Sequence, residues 1–305
     1  QGLDRIRDTH VDPGAFTTNL LTLTKSIDGG GGGDYTTFTA AEAATTAIVR
    51  SADLVKENTA IVFEAEAGTY SETFIIDSQS ASLVTDATRN VTYTYASGAY
   101  HGGSSGSGVK ISGTASVIKV KDPHTVLDGL EVVGTATNSG SVIWVEGYGY
   151  NGSQYRNLLV WSGASLSDST GGNFAAIRQN NPIASYTPTT PMVIENTVFN
   201  STNFGITVRS SASDNGFDVV IRNCTTTDSV RFLTDGGDGS VPTGGASKSV
   251  ALHNNLDNST GGLLVGANTG VTGTATNVFN DGTLPPALRA GSQLWQFNTD
   301  TTASS

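Results

Sequence analysis

A short apolar run, then a polar residue, then asparagine or glycine: this pattern recurs through the middle of the chain and limits its fold more than any other feature. The segments are Val193-Ile194-Glu195-Asn196, Val220-Ile221-Arg222-Asn223 and Ala251-Leu252-His253-Asn254, preceded by Tyr155-Arg156-Asn157 and Leu127-Asp128-Gly129. The closing positions 129, 157, 196, 223 and 254 are spaced by 28, 39, 27 and 31 residues. A β-run closed at that period predicts a solenoid with one coil per repeat. Asparagine suits such a corner because it tolerates the left-handed backbone and its amide can bond a neighbour. Stacked coils then bring the Asn side chains into register, each bonding the next.

The residues just before the corner are Asp128, Arg156, Glu195, Arg222 and His253. With coils about 4.8 Å apart, acid and base alternate up one face. Each opposite pair is worth roughly 0.2–1 kcal/mol, so the column is read first as a register-setting ladder. A second strand set repeats beside it: Val117–Val120, Val142–Val145, Ala175–Arg178, Ile206–Arg209 and Val230–Leu233. Each coil therefore carries at least two short strands, and loops such as Asn180 to Pro191 absorb the length variation.

Composition agrees with a thin coil interior under a wide surface. Apolar residues make up 37% of the 305 and there are 37 glycines, which is too polar for a thick globular core. The net charge of −11 disfavours nucleic acid and anionic membranes, and also acidic polysaccharides in the absence of a basic patch or cation. No stretch of 18 apolar residues occurs, so membrane insertion is not expected. The single cysteine, Cys224, follows the Asn223 corner, where a small buried thiol is the expectation.

Three segments follow from the patterning. Residues 1–24 form an N-terminal arm, charged at first and then alternating Thr with Leu; it is either a frayed end or an anchoring segment laid on a partner. Residues 25–282 form the solenoid domain. Residues 283–305 form a C-terminal segment, with Leu288, Leu294, Trp295 and Phe297 able to plug the far end, and a polar tail. Within the domain, Gly29 to Gly33 precede a helix over 39–50 whose N-cap is Thr39, with Glu42 at its third position. That helix is expected to cover the open end of the stack, because the last strand row otherwise offers unpaired backbone groups. Strands are expected at Thr59–Ala65 and Thr73–Asp77. The glycine run lacks the lysine of a phosphate-binding loop and the spacing of a dinucleotide site.

Gly33-Asp34-Tyr35-Thr36-Thr37-Phe38 before an Ala-rich helix, and Gly68-Thr69-Tyr70-Ser71-Glu72 before a strand, resemble the opening of the pectin lyase-like right-handed parallel β-helix superfamily. They are similar in particular to the amino-terminal part of pectin methylesterases. The region 26–77, with Tyr100-His101-Gly102-Gly103 through Gly108-Val109-Lys110-Ile111, also resembles phage- and metagenome-encoded β-helix repeat proteins. The resemblance covers about residues 26 to 260. It implies an all-β, single-stranded right-handed parallel β-helix with a short N-terminal capping helix.

The resemblance does not carry an activity. The esterase aspartates, in QDT- and DFIFG-type motifs, and the arginine of an LGRPW-type segment have no counterparts; Arg178-Gln179-Asn180 and Asp235-Gly236-Gly237-Asp238 are only superficial echoes. Asp235 and Asp238 are the sole metal candidates, in a Gly-rich loop that reads more simply as a solvated turn. For a glycosidase-type pair the acids are Glu195, Asp214, Asp218, Asp228 and Asp235, though nothing in their spacing forces two together. The histidines His10, His101, His124 and His253 are scattered, with no metal-ligand spacing. Aromatic residues carry more: Trp144 should point outward beside Lys119 and Arg178, followed by Tyr148, Tyr150, Tyr155 and, one face on, Trp161. Such a face suits sugar stacking, a protein interface or ordinary loop packing.

Two functions are therefore in view. The first is a non-enzymatic phage virion component, namely a decoration protein, head fibre or tail-fibre-like protein. It would sit on the virion surface, extracellular, attached to other virion proteins through residues 1–24 and touching a cell-surface glycan. It would be a homotrimer and need no cofactor. The second is a polysaccharide lyase or glycoside hydrolase acting through the later acidic loops.

Overall fold

The computed structural model describes residues 19–78, 83–114, 116–135, 141–162, 175–182, 188–200, 204–208, 218–227, 231–234, 248–253, 255–258, 264–265, 271–276 and 279–280. Among them the chain visits three all-parallel sheets in a fixed order and returns, so that from Thr59 to Val265 each coil lays one strand on each sheet. This is the topology of a β-solenoid.

The first sheet has nine strands, from Leu21–Ile27 and Thr59–Ala65 through Gln154–Arg156, Met192–Glu195 and Asp218–Arg222 to Val271–Thr276. The corner follows this sheet. Asn157, Asn196 and Asn223 take φ of 55, 50 and 54°, and Gly129 takes 69°, all in the left-handed region. After each corner comes a strand of the second sheet: Glu131–Gly134, Leu159–Ser162, Val198–Asn200 and Thr225–Thr227. The third sheet holds the second repeated set, including Ile118–Val120, Ile143–Gly147, Ala175–Pro182 and Phe204–Val208. The coil thus carries three strands. The second sheet escapes a sequence reading because its strands are often three residues long, too short to show a period of two.

Like stacks on like inside the coil. The first sheet sends in the column Phe63, Tyr93, Leu127, Tyr155, Ile194, Ile221 and Leu252. The third sends in Ile118, Ile143, Ile177 and Ile206. All of these are fully buried. A parallel, in-register stack places each side chain directly over its equivalent, and that is why the interior reads as repeated residue types. Where the post-corner column turns polar, at Thr197 and Asn255, the side chains satisfy the backbone. Thr197 Oγ1 accepts from the Leu158 amide at 3.4 Å, and Asn255 Oδ1 accepts from the Cys224 amide at 2.8 Å. Cys224 itself is buried, and burial pushes its thiol up to about 12, so it is an inert packing residue as expected.

Two boundaries differ from expectation. Leu21–Ile27 is the first strand of the first sheet, paired in register with Thr59–Ala65, so residues 21–24 belong to the solenoid and not to an arm. Residues 1–18 and 281–305 lie outside the described residues. The helix α1 spans Phe38–Ile48, and its N-cap is Thr37, whose hydroxyl accepts from the Ala40 amide at 3.0 Å. Thr39 and Glu42 do not form a capping box. Glu72 takes that role from the next coil, accepting from the amides of Phe38 and Thr39, both at 2.9 Å, and from Thr39 Oγ1 at 2.7 Å. Glu42 instead accepts from the Asp77 amide, Ser78 Oγ and the Tyr93 hydroxyl. Phe38 fixes the helix by packing on Tyr70, Phe74 and Tyr93.

Candidate functional site

The corner forms as the spacing predicts at Gly129, Asn157, Asn196 and Asn223, with the charge column beside it, while Asn254 lies outside the described residues. Asn157 donates to Asp128 Oδ1 at 2.7 Å, Asn196 to Asn157 Oδ1 at 3.2 Å and Asn223 to Asn196 Oδ1 at 3.2 Å. Beside this ladder, Arg156 Nε meets Asp128 at 3.0 Å and Arg222 Nε meets Glu195 at 2.6 Å. His253 continues the column in register with Arg222.

Glu195, a candidate acid on a strand of the first sheet, is part of that arrangement. Its carboxylate is engaged by Arg222 and lies between Arg156 and Arg222 in register. Asp218 starts the strand that ends at Arg222. Glu195 pairs with Arg222, four positions along, so the backbone positions of the two acids are offset by about 13 Å along the strands at 3.3 Å per residue. Glycosidase pairs need roughly 5–9.5 Å. Asp214, Asp228, Asp235 and Asp238 lie outside the described residues. Among the described residues no group of three or more His, Cys, Asp and Glu stands together to hold a metal ion. No helix among them is long and apolar enough to cross a membrane.

The expected aromatic face does not form as one surface. Tyr150 and Tyr155 are fully buried. Tyr155 occupies the inward position of Gln154–Arg156, between Leu127 and Ile194, because strand alternation that turns Arg156 out must turn Tyr155 in. Burial raises its hydroxyl pKa well above the usual range. Tyr148 is half-buried, with its amide bonded to the Lys121 carbonyl at 3.0 Å. Trp144 does stand outward between Lys119 and Arg178, but the ammonium lies 5.2 Å and the guanidinium 5.1 Å from the ring centroid. One cation comes from the coil before and one from the coil after. The indole is thus held by two cation–π contacts, which suits a structural rung.

Trp161 is committed in a similar way. Lys110 lies 5.1 Å over its ring, and its indole N–H donates to Glu131 Oε1 at 2.8 Å. Glu131 faces outward from the second sheet yet has no solvent exposure. It is roofed by the loop before Lys110: Ser105 Oγ donates at 2.6 Å and the Gly106 amide at 2.5 Å. Burial alone would raise the Glu131 pKa, but these donors and Lys110 outweigh it and hold it below the usual value. The sequence reading passed over Glu131 because its partners come from residues up to 30 positions away.

An aromatic pair with one exposed ring and one half-buried ring lies elsewhere. Tyr95 and Tyr100 pack with ring centroids 5.0 Å apart, and Tyr100 stays 41% exposed. Tyr100 also lies 4.5 Å from the His101 ring. His101 is locked: its Nε2 meets the Asn157 carbonyl at 2.8 Å and its Nδ1 accepts from the Gly103 amide at 2.9 Å. Gly129 sits under the pair. A Cβ there would collide with the Tyr95 ring and come within 3.2 Å of Tyr100 Cδ2. Glycine thus replaces asparagine at this one corner both for its φ and to admit two aromatic rings. The visible signal was Tyr95, five residues before Tyr100 and at the corner end of its strand.

No protein-family model matches the chain, and no curated protein matches it in sequence.

Proposed function

We propose that the protein is a non-enzymatic structural component of a phage virion, a decoration, head-fibre or tail-fibre-like protein carried on the particle surface. Its three-sheet coil is read as a single-stranded right-handed parallel β-helix, with α1 covering the end of the stack at the first strand. The reading draws on the resemblance of residues 26–77 and 100–111 to phage-type β-helix proteins. The observation that carries it is the engagement of Glu195. Among the described candidate acids, Glu195 is paired with Arg222 at 2.5 Å as one rung of the charge column, which supports a structural use of this face. A homotrimer attached through residues 1–20 completes the reading, the first strand starting at Leu21.

The test is deletion of residues 1–20, which spares the first strand. The truncated protein should keep its fold by circular dichroism and fail to join particles. Incorporation at the normal level would refute anchoring by this segment. Release of reducing ends or unsaturated products from neutral or acidic polysaccharides, lost in Glu195→Ala, would replace the structural reading with a polysaccharide-degrading one. Light scattering tests the trimer.

A further inference from the structure

We propose that the Tyr95–Tyr100 shelf, set over Gly129 and beside Asp128 and Asn157, binds a neutral saccharide. The inference rests on the reading of an exposed virion rod and gives its glycan contact a place and a chemistry.

The shelf has what a pyranose needs. Tyr100 is exposed with half-buried Tyr95 beneath it, and an exposed aromatic ring buries the C–H face of a sugar at small entropic cost, since a tyrosine has few torsions to fix. Here they are fixed before any ligand arrives. Tyr95 occupies space that exists only because Gly129 lacks a side chain, and Tyr100 lies on a His101 ring held by two hydrogen bonds. Preorganisation of this kind lowers the ordering cost of binding.

Polar groups stand at the rim. The Asp128 carboxylate takes one donor on each oxygen, Asn157 on Oδ1 and Arg156 on Oδ2. A carboxylate has about four lone-pair sites, so each oxygen can accept a sugar hydroxyl as well. The Tyr100 hydroxyl stays neutral at physiological pH: burial raises its pKa, and Tyr95 and the Asp128 charge add to the rise. It is a donor and acceptor there.

Charge selects the class. Asp128 is the ionisable group closest in sequence to Gly129, and the whole chain carries −11. Asp128 is itself paired with Arg156, so the rim is close to neutral, and it is the chain's net negative charge that disfavours a uronate or sialylated chain. Trp144 and Trp161 already hold cations against their rings, Lys119 and Arg178 on the first and Lys110 on the second.

The test is calorimetric titration of the full chain with maltohexaose, cellohexaose and chitohexaose, and with polygalacturonate as the acidic control. At least one neutral hexaose should bind and polygalacturonate should not. Tyr100→Ala should weaken that binding at least tenfold with an unchanged melting temperature. Tyr100→Leu, which keeps apolar bulk but removes the ring, should weaken it alike and serves should the alanine variant fold poorly.

Binding that survives in both variants overturns the assignment, as does binding of none of the neutral probes or a preference for polygalacturonate. Loss of particle incorporation in Tyr100→Ala without any saccharide binding would make the shelf a protein contact and overturn it too. Failure of the shelf with normal incorporation leaves the virion reading standing. Cleavage of any probe removes the virion reading whether or not Tyr100 matters.

Discussion

Asn196 donates its side-chain amide to Oδ1 of Asn157, 39 residues earlier, at 3.2 Å, while its own Oδ1 accepts from Asn223. Its φ of 50° adds a second demand on the same residue. Asn196→Ala removes both rungs and forces alanine into the left-handed region, which disfavours it by roughly 1–2 kcal/mol. Together with hydrogen bonds worth about 1 kcal/mol each, partly exposed here, the loss should be about 2 kcal/mol. Asn196→Gly keeps the backbone and loses only the rungs, so it should cost about half as much. Urea midpoints followed by circular dichroism should rank wild type above Gly and Gly above Ala. A glycine variant as stable as wild type would show that the amide ladder contributes nothing.

Glu72 ties the first turn of α1 to the second sheet through three donors on Phe38 and Thr39. Charge-assisted bonds of this kind are worth about 1.5–3 kcal/mol together with the helix-end field. Glu72→Ala should therefore loosen the helix while leaving the later coils intact, because solenoid coils depend mainly on their neighbours. Hydrogen exchange should speed up within Phe38–Ile48 and stay unchanged in Met192–Glu195 and Asp218–Arg222. Uniform acceleration along the chain would contradict a local role.

How much of this was legible in the sequence depended on the range of the cause. Asn157, Asn196 and Asn223 were readable because the left-handed corner acts on single residues and repeats. The Asp128–Arg156 and Glu195–Arg222 pairs followed once coils were stacked in register. Tyr155 was readable too: placing Arg156 outward already places its neighbour inward, and only its residue type suggested a surface. Thr37 and Thr39 both fit a helix start, and the choice was made by Glu72, 33 residues beyond Thr39, which no local pattern contains. Gly129 was seen as a variant corner, but its second role needs the Tyr95 ring of the preceding coil. Glu131 was hidden for the same reason, its partners arriving from Ser105, Gly106 and Trp161.

Glu131 is a buried anion with hydrogen-bond donors on both oxygens, and Glu131→Gln replaces one oxygen by a donor facing donors. The variant should be less stable than wild type at pH 7, and the roof over residues 101–107 should open first. The pH dependence has a definite sign. A carboxylate held below its ordinary value of 4.5 in the fold contributes stability above 4.5, and that contribution is lost as pH falls through the lower folded value. The gap between wild type and Glu131→Gln should therefore be widest near neutrality and narrow below pH 4.5. Thermal melts read by tryptophan fluorescence from pH 7 to 3 measure it, since Trp161 touches Glu131 directly.

His124 adds a second acid-sensitive group, a base whose contribution is lost in the same direction, at another corner. It adopts φ of 55° and is 8% exposed, with Nδ1 buried and without a hydrogen-bond partner. Gly152 of the next coil closes over that nitrogen so tightly that a Cβ would collide with the ring. A proton on Nδ1 would have neither water nor acceptor, so burial lowers the pKa from 6.5, against a smaller opposing effect of the Asp86 charge. Between the unfolded value and the lower folded one, the unfolded chain binds more protons. Stability must then be full above about 6.5 and decline as the medium is acidified toward the folded value. His124→Asn keeps a residue that accepts the left-handed corner and removes the titration. Its melting temperature should fall less than that of wild type between pH 7.5 and 5. Parallel declines in the two proteins would assign the acid sensitivity to another group.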